Sequence, residues 1–346
     1  MTASIEDLIR ENIKTLIPYS SARSEYKKAN GIFLDANENP YGNYNRYPDP
    51  FQVKLKEKLA EIKNLRAGQI FLNNGSDGIV DMVYRVFCEP KKDKALTFPP
   101  TFGMYTVAAH LNNVELIKIP LNEEFQINRE ELDKYIADEN LKVIFLCSPN
   151  NPTGNHLNRE DINYILDNFK GITVIDEAYI DFNKRISYAQ KLDDYPRLIV
   201  LQTLSKSWAL AGARIGMALM SEALVGVFNK IKTPYNVSSI DQQTALEALE
   251  NKESIQERMI TILSEKNRVI EALEEFDVIE KIYPSDTNFL LVKVADGLKF
   301  YQDLLAHDII VRNQHNVIEN TVRITIGKAE ENDLLLAALE KINSTN

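Results

Sequence analysis

Cysteine is nearly absent. Cys88 and Cys147 are the only two in 346 residues, each inside an apolar stretch, so they read as small buried hydrophobes rather than a disulfide framework. That usage suits a reducing cytoplasm. Histidine is scarce as well, and none of His110, His156, His307 and His315 stands in a metal-ligand spacing such as His-Glu-x-x-His, so no metal site is expected. Positive charge is in deficit: 40 Lys and Arg against 50 Asp and Glu leave a net charge of −10, which repels nucleic acid and anionic membrane surfaces. No apolar run approaches the roughly 18 residues that a membrane helix takes, and Glu6, Asp7, Arg10, Glu11 and Lys14 interrupt any export-signal core. The expectation is a cytoplasmic protein with neither a membrane nor a nucleic-acid partner. No repeat, low-complexity tract or Gly/Ser linker is visible, so a domain boundary must pass through structured elements.

What is present is ordinary globular material, 44% hydrophobic and 26% charged, with length enough for about two domains. Short apolar runs read as strands: Ile70 to Leu72, Ala95 to Phe98, Val114 to Ile119, Val143 to Cys147, Ile172 to Asp176, Leu198 to Thr203 and Ile215 to Met220. Between them lie helical patterns such as Leu55, Leu59 and Ile62, or Ile79, Val83, Val86 and Phe87. Strands alternating with helices predict an α/β fold with a mostly parallel, doubly wound sheet, whose ligands bind beyond the strands' C-terminal ends. A long helical stretch from Asp241 through Phe276, wavering at Asn251, leads to a smaller α+β segment. Its strand candidates are Asn288 to Val294, Ile309 to Arg312 and Val322 to Thr325, closed by a helix from Glu330 to Ile342. The first forty residues, with a helix over Ile5 to Thr15 and a strand at Ile32 to Leu34, are too few to fold alone and are expected to pack on the C-terminal segment. The domain division is therefore 44–242 for the large domain, and 1–43 with 243–346 for a small domain and N-terminal arm.

Three strand-end loops carry chemistry. Gly75-Ser76-Asp77 follows a strand and opens a helix, where backbone N–H groups and the helix dipole attract a phosphate; helix capping by Ser76 or Asp77 explains the same residues. Asp176 ends a strongly apolar strand, where a carboxylate makes sense against a cation such as a protonated pyridine nitrogen; strands also end in Asp for plain turn reasons. Thr203, Ser205 and Lys206 end another strand. A partly desolvated lysine there has a lowered pKa and can take an aldehyde as a Schiff base, while Arg214 offers a fork of donors to a phosphate or, equally, forms a surface ion pair.

Together these loops resemble the fold type I pyridoxal-phosphate enzymes, and among them the aminotransferases, whose heptapeptide turn is matched by Ser148-Pro149-Asn150-Asn151-Pro152-Thr153-Gly154. Ile17-Pro18-Tyr19, Leu34 to Pro40, Asn45-Arg46-Tyr47-Pro48, Pro99 to Tyr105, Asp176-Glu177-Ala178-Tyr179, Thr203 to Lys206, Val311-Arg312 and Val322 to Gly327 extend the resemblance, in order, to the histidinol-phosphate aminotransferases. That resemblance implies a large cofactor domain and a smaller α+β domain built from both chain ends. It implies pyridoxal phosphate on Lys206, Asp176 on the ring nitrogen, and Asn151 and Tyr179 on the phenolic oxygen. The phosphate would meet Gly75, Ser76, Asp77, Thr203, Ser205 and Arg214, and Tyr47 would reach it from the neighbouring subunit of a homodimer with shared active sites. The implied reaction, part of L-histidine biosynthesis, is ping-pong exchange between L-histidinol phosphate with 2-oxoglutarate and imidazole acetol phosphate with glutamate. Tyr19, Asn151, Arg312 and Arg323 would form the substrate pocket; an edge-strand surface pair accounts equally for Arg312. Phe102 stands where the family usually has Tyr, which keeps ring stacking and loses a hydroxyl. Gly78 replaces the usual Glu in the phosphate turn and weakens the helix start. An aromatic or broad-specificity aminotransferase shares these chemistry motifs, and a phosphoamino-acid decarboxylase shares the fold and the lysine.

Overall fold

The computed structural model describes residues 5–20, 22–26 and 31–345. Seven strands form the larger sheet: β1 (Ile70–Asn74), β2 (Lys94–Thr97), β3 (Glu115–Lys118), β4 (Leu141–Cys147), β5 (Ile172–Asp176), β6 (Leu198–Thr203) and β7 (Ile215–Met220). Their spatial order is β1-β7-β6-β5-β4-β2-β3. β3, β2, β4, β5 and β6 run parallel, and β7 lies antiparallel between β6 and β1. The strands are apolar on both faces because both faces are covered: Leu198 and Val200 of β6 enter one core, Ile199 and Leu201 the other. Helix Val53–Lys63 buries Leu55 and Leu59 on the first face, and helix Gly75–Phe87 buries Ile79, Val83, Val86 and Phe87 on the second.

Register brings the strand ends level. Cys147 pairs with Asp176, Asp176 with Leu201, Thr203 with Gly216, and Gly216 with Asn73. The loops that follow β1, β4, β5 and β6 therefore open on one edge of the sheet.

Beyond β7 the expected long helix is two, Ser239–Glu250 and Lys252–Leu273, parted at Asn251. The second sheet is antiparallel in the order β10-β11-β9-β8, from β8 (Ile279–Ile282), β9 (Phe289–Val294), β10 (Arg312–Asn313) and β11 (Thr321–Thr325). Its apolar face packs on helices Gly297–Ala306 and Ala329–Thr345 through Val292, Phe300, Leu304, Val322 and Leu339.

The structure differs from the sequence reading at several points. Residues 309–311 do not pair, and the strand begins only at Arg312. β8 escapes a sequence reading because Glu280 and Lys281 break its apolar run on an exposed edge. Ile5 to Thr15 is not one helix: single turns at Ile5–Leu8 and Glu11–Lys14 are separated by Arg10, held extended at φ −57°, ψ 142° while its N–H donates to Val86 O at 2.9 Å. Ile9 thereby joins the core around Val83, Val86 and Phe228, on the larger unit and not on the C-terminal segment. Finally, Ile32 to Leu34 forms no strand, and Ile32 and Leu34 stand exposed.

Candidate active site

A cleft of about 600 Å³ opens where the larger sheet's strand ends face β10 and β11. It gathers Gly75, Ser76 and Asp77 after β1, Phe102 after β2, Asn151 after β4, and Asp176 with Tyr179 at the end of β5. Thr203, Ser205 and Lys206 after β6, Arg214 before β7, and Arg312 and Arg323 from the second sheet complete it.

Backbone geometry builds the turn after β1. Gly75 sits at φ +75° and donates its N–H to Arg214 O at 2.7 Å; a Cβ there would stand 2.6 Å from Arg214 Nη2. Opposite, a Cβ on Gly216 would lie 2.2 Å from Ser76 N, so the turn rests directly on β7. Asn74 gives the following helix no side-chain cap, which leaves its first-turn amides for a ligand. Arg214 Nη2 lies 3.6 Å from Asp77 Oδ2, in a half-exposed ion pair.

Asp176 is buried, and both its hydrogen-bond partners are neutral: Tyr105 Oη donates to Oδ2 at 2.9 Å, Ala178 N to Oδ1 at 3.0 Å. Burial pushes its carboxyl up to about 6, against the pull of those two bonds. Lys206 Nζ lies 5.8 Å from the centre of the Tyr179 ring, and its ammonium is held below the usual lysine range by burial and then by Arg323. Tyr179 is buried edge-on to Phe289 at 5.2 Å. Ser205 N donates to Thr203 Oγ1 at 3.1 Å, which ties the turn that carries the lysine.

The heptapeptide turn is fixed by Asn150, whose Nδ2 donates to Pro100 O at 2.8 Å and Thr153 Oγ1 at 2.7 Å, leaving Asn151 to face the cleft. Asn151 Oδ1 accepts from Arg323 Nη1, and the guanidinium of Arg323 lies over Phe289 at 5.1 Å with a buried Nε that meets no acceptor among the described residues. Arg312 is the cross-strand partner of Arg323, so two guanidinium groups share one wall.

Two expected residues lie outside this cleft. Tyr47 stacks on Tyr235 at 4.4 Å in a separate groove with Glu38 and Arg46, and Tyr19 is 76% exposed. Tyr105 ends the Pro99 to Tyr105 motif, and the signal for its role is a tyrosine on an apolar helix, whose hydroxyl needs a partner once buried. Gly216 escaped as a contact residue because only the fold brings Ser76 against it.

Anion donors at one end, a buried carboxylate with neutral partners, a partly buried lysine and an aromatic face fit a phosphorylated pyridine aldehyde. The family model "Aminotransferase class I and II" matches residues 24–339, and the chain belongs to that family. It is a pyridoxal-phosphate-dependent transaminase with the fold type I architecture. The chain is 50% identical over 341 residues, 98% of itself and 99% of the relative, to a histidinol-phosphate aminotransferase of Parabacteroides distasonis. It is 46% identical over 348 residues, 99% of each, to one from Flavobacterium johnsoniae. Among solved structures, histidinol-phosphate aminotransferase from Sinorhizobium meliloti in complex with pyridoxal-5'-phosphate is similar, with TM-score 0.80 and 25% identity over 87% of this chain and 83% of that one.

Proposed function

We propose that the protein transfers the amino group of L-histidinol phosphate to 2-oxoglutarate, giving imidazole acetol phosphate and glutamate, as a step of histidine synthesis. The observation that carries this reading is the Arg312–Arg323 pair, two forked cations on the cleft wall formed by the second sheet. Each substrate brings an anion, a phosphomonoester or a carboxylate, and a guanidinium fork suits both.

Pyridoxal phosphate, when bound, supplies an aldehyde that captures amines and a protonated ring that accepts electrons. The protein's residues do the rest. Arg214 and the amides of Ser76 and Asp77 would hold the phosphate, with Gly75, Thr203 and Ser205 beside them. Phe102 would cover the ring, Asp176 would keep the ring nitrogen protonated, and Asn151 with Tyr179 would bond the phenolic oxygen. Lys206 would hold the cofactor's aldehyde, and its lowered basicity would let an unprotonated Nζ take the proton from the substrate's amine-bearing carbon. Tyr47 would reach the phosphate of the neighbouring subunit in a homodimer, and Tyr19 would join Arg312 and Arg323 on the substrate. The exposed Tyr41, Tyr44, Tyr47 and Phe51 give that dimer an apolar face, and the enzyme works in the cytoplasm.

Steady-state kinetics test the reading. Histidinol phosphate with 2-oxoglutarate is expected to be turned over far faster than phenylalanine or tyrosine, without release of carbon dioxide. Arg323→Leu is expected to lower kcat/KM for histidinol phosphate by on the order of a hundredfold through loss of charged hydrogen bonds. Equal turnover of the aromatic amino acids marks a broader aminotransferase, and carbon dioxide release without need of a keto acid marks a decarboxylase.

A further inference from the structure

Tyr105 is fully buried at the first turn of helix Met104–Leu111. Its ring stacks on Phe145 of β4 at 4.9 Å and 18°, and meets Phe102 edge-on at 5.6 Å and 85°. Its carbonyl accepts from Tyr84 Oη at 2.9 Å, so backbone and ring are both fixed from the neighbouring helix and strand. Its hydroxyl donates to Asp176 Oδ2 at 2.9 Å and lies beside the Cys147 thiol. One side chain thus touches the residue that covers the cofactor ring and the residue that partners the ring nitrogen.

We infer that Tyr105 is a positioning residue for the cofactor ring: its hydroxyl fixes the Asp176 carboxylate, while its ring sets Phe102. The inference rests on Asp176 being the ring-nitrogen partner. Oδ1 is held by Ala178 N and Oδ2 by Tyr105, so the carboxylate cannot rotate, yet each oxygen keeps a lone pair for a ring N–H. The titratable groups that face Asp176 are Tyr105, Cys147 at the end of β4, Tyr179 after β5, Lys206 after β6 and Asp77 in helix Gly75–Phe87. Burial holds the Tyr105 hydroxyl and the Cys147 thiol protonated, and Tyr105 is the one of the five seen donating to the carboxylate. Burial opposes ionisation of Asp176, and the phenol donor offsets it.

The test is Tyr105→Phe, which keeps the ring and deletes the hydroxyl, with Asp176→Asn as reference. In cofactor-free protein, the infrared carboxyl band lost in Asp176→Asn assigns the Asp176 titration. Tyr105→Phe is expected to move that titration up by about one pH unit, the loss of one hydrogen bond to a charged acceptor. Pyridoxal phosphate is expected to bind about tenfold more weakly, with KM for both substrates unchanged. An unmoved titration and unchanged cofactor affinity overturn the inference. If Asp176→Asn itself leaves cofactor affinity intact, the reading of Asp176 has failed instead, and the inference with it. Should Tyr105→Phe not fold, fluorotyrosine at position 105, a stronger donor, is expected to lower the Asp176 titration; no movement overturns the inference.

Discussion

At the scale of single residues, the site holds a buried charge that costs stability. Asp176, pushed up to about 6 from an ordinary value of 3.8, binds its proton more tightly in the folded than in the unfolded chain. The cofactor-free protein therefore loses stability as pH rises from about 4 to 6 and does not regain it above. Asp176→Asn removes that penalty. Thermal unfolding of cofactor-free protein is expected to show the variant more stable at pH 7 to 8, by on the order of 3 kcal/mol at most, with the difference vanishing toward pH 4. The same variant is expected to lose on the order of a hundredfold or more in kcat, since the ring nitrogen loses its counter-charge. A variant with normal kcat contradicts the role given to Asp176.

Elements position these residues through contacts that spacing alone does not reveal. The turn after β1 needs a glycine on the adjacent strand, where Gly216 meets Ser76 N, whereas Gly212 has open space around its Cα. Gly216→Ala is expected to cost about 3 kcal/mol or more and to abolish cofactor retention, while Gly212→Ala is close to neutral, by thermal shift and cofactor titration. Most of the larger sheet was legible because both faces are covered and each strand is a near-continuous apolar run. β8 and the single turns near Arg10 were not, because an edge strand mixes charge with apolar residues and an isolated turn has no periodicity. Lys206 and Asp176 were legible as strand-end residues, Arg214 as a donor eight residues beyond Lys206, and Asn151 through the resemblance of its turn to that of the aminotransferases. Tyr105 and Gly216 act through neighbours supplied by other elements.

The whole molecule presents its aromatic residues unevenly. Tyr41, Tyr44 and Tyr47 stand exposed along one segment that also carries Phe51, an arrangement suited to burial against a second copy. Sedimentation is expected to give a homodimer, and Tyr47→Phe is expected to speed cofactor loss without dissociating it. Unchanged cofactor retention contradicts a shared phosphate site. The substrate assignment is the central claim, and the visible spectrum of the purified holoenzyme tests it most directly, with histidinol phosphate added in the absence of any keto acid. The expected result is conversion of bound pyridoxal phosphate to pyridoxamine phosphate with histidinol phosphate and barely with phenylalanine or tyrosine, and none in Lys206→Ala. Equal conversion by the aromatic amino acids, or a cofactor that remains covalently held in Lys206→Ala, would contradict the account.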